Sequence, residues 1–307
     1  MYRVSRSGTL AAPRAAGTYQ VSDLGWLASS NGWGPVEKDR SNGESAAGDG
    51  RTLTIGSTTY PKGLGVHADS AVHLWLGGSC RRFTARVGVD AEAGSGRGTV
   101  RFQVYGDGRL LAYSDVKTGG QAATALAVPT AGVKALELRV TAARDGINYD
   151  HADWADAQLV CGTAGTARYV SDTTWTSATN GWGPAERDQS NGEAAGGDGG
   201  TLSVAGVNYP KGVGAHAASD IAVSATGCER LVAVAGIDAE TGGRGSVSFQ
   251  VVADGTTIYS SGTLVPGTAA VIDLDVTGRS QLRLVVGNGA DNIDFDHADW
   301  ASAQLVC

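Results

Sequence analysis

The chain carries one domain-sized pattern twice, and that repetition constrains its fold more than any other feature. Asn31-Gly32-Trp33-Gly34-Pro35 returns as Asn180-Gly181-Trp182-Gly183-Pro184, and Ser41-Asn42-Gly43-Glu44 returns as Ser190-Asn191-Gly192-Glu193. Tyr60-Pro61-Lys62-Gly63 returns as Tyr209-Pro210-Lys211-Gly212, and Asp150-His151-Ala152-Asp153-Trp154 as Asp296-His297-Ala298-Asp299-Trp300. The offset falls from 149 at Trp33 to 146 at the last motif, through single-residue gaps near 69–79, 94–96 and 109–112 where turns absorb them. A unit of roughly 145 residues is a whole domain rather than a solenoid repeat, so each copy buries its own core. The expected organisation is a leader or remnant of a preceding domain at 1–18, copy one at 19–161, a linker at 162–167 and copy two at 168–307. The linker's small residues, without an apolar anchor, read as a short flexible tether.

Each copy reads as all-β. Glycine makes up 46 of 307 residues, methionine one, and no window sustains a 3.6-residue apolar period. The run from Thr99 to Tyr105, then Gly106-Asp107-Gly108, then Arg109 to Tyr113 is a hairpin pattern with an Asp-Gly turn, repeated from Ser246 around Asp254-Gly255. Leu136 to Val140 and Leu282 to Val286 alternate with period two. Many short strands with glycine-rich turns indicate a sandwich.

A net charge of -7 and a pI near 5.2 argue against nucleic acid as a partner, because phosphate binding needs a basic face. No run of 18 apolar residues exists to span a membrane. Arg3, Arg6 and Arg14 occur in the leader without the apolar core of a signal peptide. A monomer is expected. The four cysteines obey the repeat: Cys80 and Cys161 lie 81 apart, and Cys228 and Cys307 lie 79 apart. One disulfide per copy is the economical reading, with two buried free thiols per copy as the alternative. The disulfide reading places the chain in a secreted, extracellular setting.

Trp33, between glycines and before a proline, belongs to a loop. There its indole can stack on the C–H face of a pyranose, with Glu37, Asp39, Asn42 and Glu44 supplying polar groups for hydroxyls. It can equally plug the end of the core, leaving the polar residues to cap turns. The counterparts are Trp182, Glu186, Asn191 and Glu193. Asp150, His151 and Asp153, with Asp296, His297 and Asp299, form either a ligand or ion site or a satisfied polar network, since unpaired buried carboxylates are costly. Oxygen donors around one histidine suit Ca²⁺ better than Zn²⁺, with Asp153 and Asp299 as the candidate ligands, although no EF-hand spacing is present. His67 and His216 are candidate sugar contacts or core histidines. Arg97 and Arg244, in Gly-Arg-Gly turns, can fork onto sugar hydroxyls or a local carboxylate. No serine-histidine-aspartate order, Walker loop or zincin motif appears. Abundant carboxylates alone do not make a glycosidase pair.

Taken together, Asn-Gly-Trp-Gly-Pro-Val-Glu-Lys-Asp, Ser-Asn-Gly-Glu, Tyr-Pro-Lys-Gly-Leu-Gly-Val-His-Ala, Gly-Val-Asp and Asp-His-Ala-Asp-Trp-Ala resemble the NPCBM domain, carbohydrate-binding module family 51, over residues 19 to 307. The resemblance implies two tandem galactose-binding-like jelly-roll β-sandwiches, non-catalytic and attached to secreted glycoside hydrolases. It also implies a galactose-type glycan as partner, no catalytic cofactor, and the structural calcium that related sandwiches hold. Met1-Tyr2-Arg3-Val4 resembles the closing strand of an α-galactosidase C-terminal domain. The expected function is therefore tandem glycan recognition, against two rivals: part of a glycoside hydrolase such as an α-galactosidase, or a structural spacer. Copy two writes Ala185 for Val36, Gln189 for Arg40, Phe295 for Tyr149 and Ser302 for Asp156, which leaves its specificity less defined.

Overall fold

The computed structural model describes residues 14–43, 45–143, 146–162, 165–192, 194–289 and 291–307. Each repeat is a jelly-roll β-sandwich with 3-10 turns as the helical content among the described residues. In the first module one sheet runs Thr124–Pro129, Cys80–Val89, His151–Cys161, Gly63–His67, Glu37–Lys38, with Gly17–Gln20 added to His151–Cys161. The facing sheet contains Arg109–Ser114, Thr99–Gly106, Ala135–Ala142, Ser70–Trp75 and Ala28–Ser30. Strand alternation explains the layering: in Thr99–Gly106 every second residue, from Val100 through Phe102 and Val104, is buried. The second module repeats both sheets.

The buried indole of each final motif organises its core. Trp154 meets Phe102 edge-on at 4.9 Å and Phe83 at 5.9 Å, and Trp300 meets Phe249 at 4.9 Å. Disulfides Cys80–Cys161 and Cys228–Cys307 close each module, and no free cysteine remains among the described residues, so the free-thiol alternative falls. No helix is long and apolar enough to cross a membrane among the described residues.

The junction differs from a flexible tether. The hairpin Leu202–Val204 and Val207–Tyr209 of the second module adds to the edge strand Arg109–Ser114 of the first, pairing Tyr113 with Asn208 and Ser114 with Val207. Tyr209 is buried and its hydroxyl donates to the Ala127 carbonyl at 2.9 Å. Leu202, Val204, Val207 and Tyr209 join the first module's core cluster. Asp273, which also accepts from Arg230 of its own module, accepts from Arg81 at 2.6 Å across the same boundary. Thr166 and Cys307 exchange backbone hydrogen bonds at 2.9 and 3.0 Å. The composition of the connecting segment reads as loose because the anchors lie elsewhere, in the hairpin around Tyr209.

Candidate functional site

In each module the Trp loop is held by two asparagines. The Asn31 amide donates to the carbonyls of Trp33, Gly34 and Pro35 at 2.7, 3.2 and 3.0 Å, and its oxygen accepts from the His67 N–H at 2.7 Å. Asn42 donates to Trp33 and Pro35 at 3.1 and 2.9 Å. Asn180 repeats the contacts to the Trp, Gly and His positions, and Asn191 repeats both of the Asn42 contacts. Gly32 and Gly181 lie so close to the carbonyls of Ala68 and Ala217 that a Cβ has no room, which explains the invariant Asn-Gly in both copies. With its backbone fixed in this way, the indole of Trp33 stands 51% exposed and that of Trp182 52%. The core-plug reading of Trp33 is therefore excluded.

A second aromatic faces the same space. Tyr149 and Phe295 are 51% and 40% exposed and have φ of 65° and 62°, a left-handed conformation rarely adopted by aromatic residues. The buried aspartate that follows each one holds this loop: Asp150 accepts from the Thr99 N–H at 2.8 Å and Asp296 from the Ser246 N–H at 3.0 Å. Trp33, His67, Ile147, Asn148, Tyr149 and His151 line an open pocket of about 540 Å³. The corresponding pocket of the second module, about 730 Å³, includes Trp182, His216, Arg244, Ile293, Phe295 and His297.

The imidazoles supply directed polar groups. Nδ1 of His67 lies 2.9 Å from the Ala68 carbonyl, which can only accept, so Nδ1 carries a hydrogen and donates it. His216 does the same with Ala217 at 2.8 Å. His151 packs edge-on to His67 at 4.9 Å, and its Nδ1 lies 3.0 Å from the Asn42 carbonyl and 3.2 Å from Glu92. His297 meets Asn191 and Glu240 at 2.9 and 3.0 Å.

Several residues expected to touch ligand instead build the frame. Glu37 and Glu186 are buried and accept from the N–H of Gly48 and Gly197 at 2.6 and 2.8 Å. The Asn42 side chain is fully buried under the Trp loop; Asn191, equally buried, reaches the edge of its pocket. Asp150 and Asp296 are fully buried and tie the aromatic loop down. Burial pushes Asp296 up to about 6, reinforced by the charges of Asp291 and Asp294 against the lowering effect of the Ser246 N–H. Arg97 stacks on the Tyr149 ring at 5.0 Å, and Arg244, which stays on the pocket lining, stacks on Phe295 at 3.5 Å. Glu44 and Glu193 lie outside the described residues, as does Met1-Tyr2-Arg3-Val4. Ile147 and Ile293 and the platform role of Tyr149 and Phe295 escaped the sequence reading, although their repeated position just before each Asp-His motif was a signal.

Asp153 and Asp299, the residues expected to bind calcium, each lie beside a second aspartate. Asp153 is fully buried, neither of its oxygens has a conventional donor among the described residues, and burial followed by the neighbouring Asp90 carboxylate pushes its pKa well up. Burial and then the neighbouring Asp238 carboxylate raise the pKa of Asp299 in the same way. No group of three or more His, Cys, Asp or Glu is arranged to hold a metal among the described residues, whereas Ca²⁺ takes six to eight oxygens.

Two jelly-roll sandwiches in tandem, each with an open aromatic-walled pocket, define a class of paired β-sandwich modules with surface sites. The NPCBM/NEW2 domain model matches residues 17–160 and again 166–306, and the chain belongs to that family. A putative endo-alpha-N-acetylgalactosaminidase of Renibacterium salmoninarum is 46% identical over 156 residues, 50% of this chain and 10% of that protein. An alpha-1,3-galactosidase B of Akkermansia muciniphila is 36% identical over 108 residues, 34% of this chain and 13% of that protein. The chain thus spans a small part of these relatives. Among solved structures, CBM51 from a Clostridium perfringens GH95 protein, in complex with methyl-galactose, is 32% identical. It covers 46% of this chain and 100% of its own, with a TM-score of 0.42. The tandem CBM51 modules of a family 98 glycoside hydrolase from Streptococcus pneumoniae are 22% identical. They cover 95% of this chain and 99% of their own, also at 0.42.

Proposed function

We propose that the chain is a non-catalytic tandem glycan-binding unit that holds terminal galactose-type residues and positions a secreted glycoside hydrolase on its substrate. The observation that carries this reading is the distribution of exposed aromatics. Trp33, Tyr149, Trp182 and Phe295 are the aromatic rings among the strongly exposed apolar residues described, and all four line the two pockets. Leaving an indole half in water forgoes burial worth roughly 1.5–3 kcal/mol, and a pyranose face restores it on binding. The imidazoles that line the pockets offer hydrogen-bonding edges to sugar hydroxyls. The two relatives above, one named for N-acetylgalactosamine and one for galactose, support the galactose type.

Isothermal titration of the full chain with methyl galactoside, alongside a glycan array, tests the proposal. Binding is expected with one site per module. Trp33→Ala combined with Trp182→Ala abolishes it, and either alone removes half the sites. Methyl galactoside binding that survives the double substitution, or no binding to any galactosyl glycan, contradicts the proposal. Release of a chromogenic galactoside by the chain contradicts its non-catalytic part.

A further inference from the structure

The junction between the modules contains a cleft that neither module possesses alone. It measures about 670 Å³ and is lined from the first module by Arg109, Leu111, Val133 and Lys134, and from the second by Tyr169 and Gln304. Its size lies between those of the two aromatic pockets. Ligand sites favour such domain boundaries.

Three observations give the cleft its chemistry. First, neither the Arg109 guanidinium nor the Lys134 ammonium has a side-chain hydrogen bond or ion pair among the described residues, although the chain as a whole is at -7. The one carboxylate in the lining, Asp107, is occupied by the backbone N–H groups of Lys134 and Ala135 at 3.1 and 2.9 Å. Second, Gln304 is 3% exposed and its Oε1 has no hydrogen-bond partner among the described residues. Third, this corner has been rewritten relative to the first module. There Asp156 accepts from Gln158 at 2.7 Å and Gln20 at 3.4 Å. The second module places Ser302, Gln304 and Tyr169 at the three equivalent positions, so the carboxylate is lost and an aromatic ring is gained.

We propose that this cleft binds an acidic sugar, a pyranose bearing a carboxylate or sulfate group. Arg109 and Lys134 take the anionic group in charge-assisted hydrogen bonds. Gln304 Oε1, an acceptor, requires a donor that a bare anion lacks and a sugar hydroxyl supplies. Leu111, Val133 and the half-buried Tyr169 offer the apolar surface on which a ring lies. Removing Asp156 from this corner of the second module removes the repulsion that an acidic ligand meets there.

The proposal is independent of the aromatic pockets and is tested with them silenced. The full chain carrying Trp33→Ala and Trp182→Ala is titrated with N-acetylneuraminic acid, galactose 6-sulfate, methyl galactoside and inorganic sulfate, while ¹⁵N amide shifts are followed. Saturable shifts at Gly106, Gly132, Gly165 and the Gln304 side-chain amide are expected with at least one of the two acidic sugars, and the neutral sugar is expected to be silent. Which of the two binds separates carboxylate from sulfate. Arg109→Ser with Lys134→Ser, at exposed positions that leave the fold intact, weakens that binding roughly tenfold or more. No saturable shift with either acidic sugar overturns the proposal. So does binding that survives the double substitution, or inorganic sulfate reproducing the whole response.

Discussion

Tyr209 is the place to test whether the two modules form one unit. Its counterpart Tyr60 is half-buried beside the exposed Thr58 and Thr59, whereas Tyr209 is 1% exposed within the first module's core cluster. Tyr209→Phe removes the hydroxyl and strands the buried Ala127 carbonyl, a loss of about 1–3 kcal/mol. Tyr209→Ala also leaves a ring-sized cavity, and aromatic truncations of this kind cost about 3–5 kcal/mol. Tyr60→Ala at the half-buried site costs about 1 kcal/mol or less. Because the energy of Tyr209 is spent between modules, its removal uncouples them. Calorimetry is expected to show one transition for the parent chain and two for Tyr209→Ala. The midpoint falls by roughly 2–4 °C for each kcal/mol lost. Equal costs for Tyr60→Ala and Tyr209→Ala, or an unchanged transition in Tyr209→Ala, would show that Tyr209 does not couple the modules.

Three further outcomes follow from the structure. Burial and the Asp90 carboxylate hold the folded pKa of Asp153 well above the ordinary value of 3.8, so the group favours the fold most below that value. This contribution is lost as pH rises through the folded value, at about 1.4 kcal/mol per pH unit. Asp153→Asn supplies the same donor without a titratable proton and is expected to flatten the urea-derived stability profile by that slope; parallel profiles would count against the acid pair. Replacing Cys80 and Cys161 by serine opens a loop with a separation of 81 residues, and chain entropy puts the loss at about 4.5 kcal/mol. A thermal midpoint unmoved by that change would remove the disulfide from the list of stabilising features. Asn31→Ala, read on a Trp182→Ala background, frees the Trp33 loop and is expected to weaken galactoside binding by roughly tenfold with the fold retained; unaltered affinity would show that the loop needs no such anchor.

The candidate site was only partly legible in the sequence, for a physical reason. Repetition drew attention to Trp33, His67 and His151, and all three line the pocket. The same repetition marked Glu37 and Asp150, which recur because the frame recurs: each buried carboxylate satisfies backbone N–H groups that would otherwise be orphaned. A motif cannot distinguish a residue that meets ligand from one that shapes the loop presenting it. Tyr149 was visible only as a position where the copies differ, because its prominence comes from a left-handed backbone that no residue pattern announced.

Residue order alone was enough to establish that there are two modules, that both are all-β, and that a loop tryptophan recurs. These are properties of composition, period and spacing, which local chemistry expresses directly. The fold settles which side of the Trp loop meets water, which acids are buried, that the cysteines of each module are paired, and that the modules share a sheet. Each of these depends on groups far apart in the chain, such as Asp153 with Asp90 and Tyr209 with Ala127. Burial and pairing are set by what the fold brings into contact, and no local window of residues contains both partners.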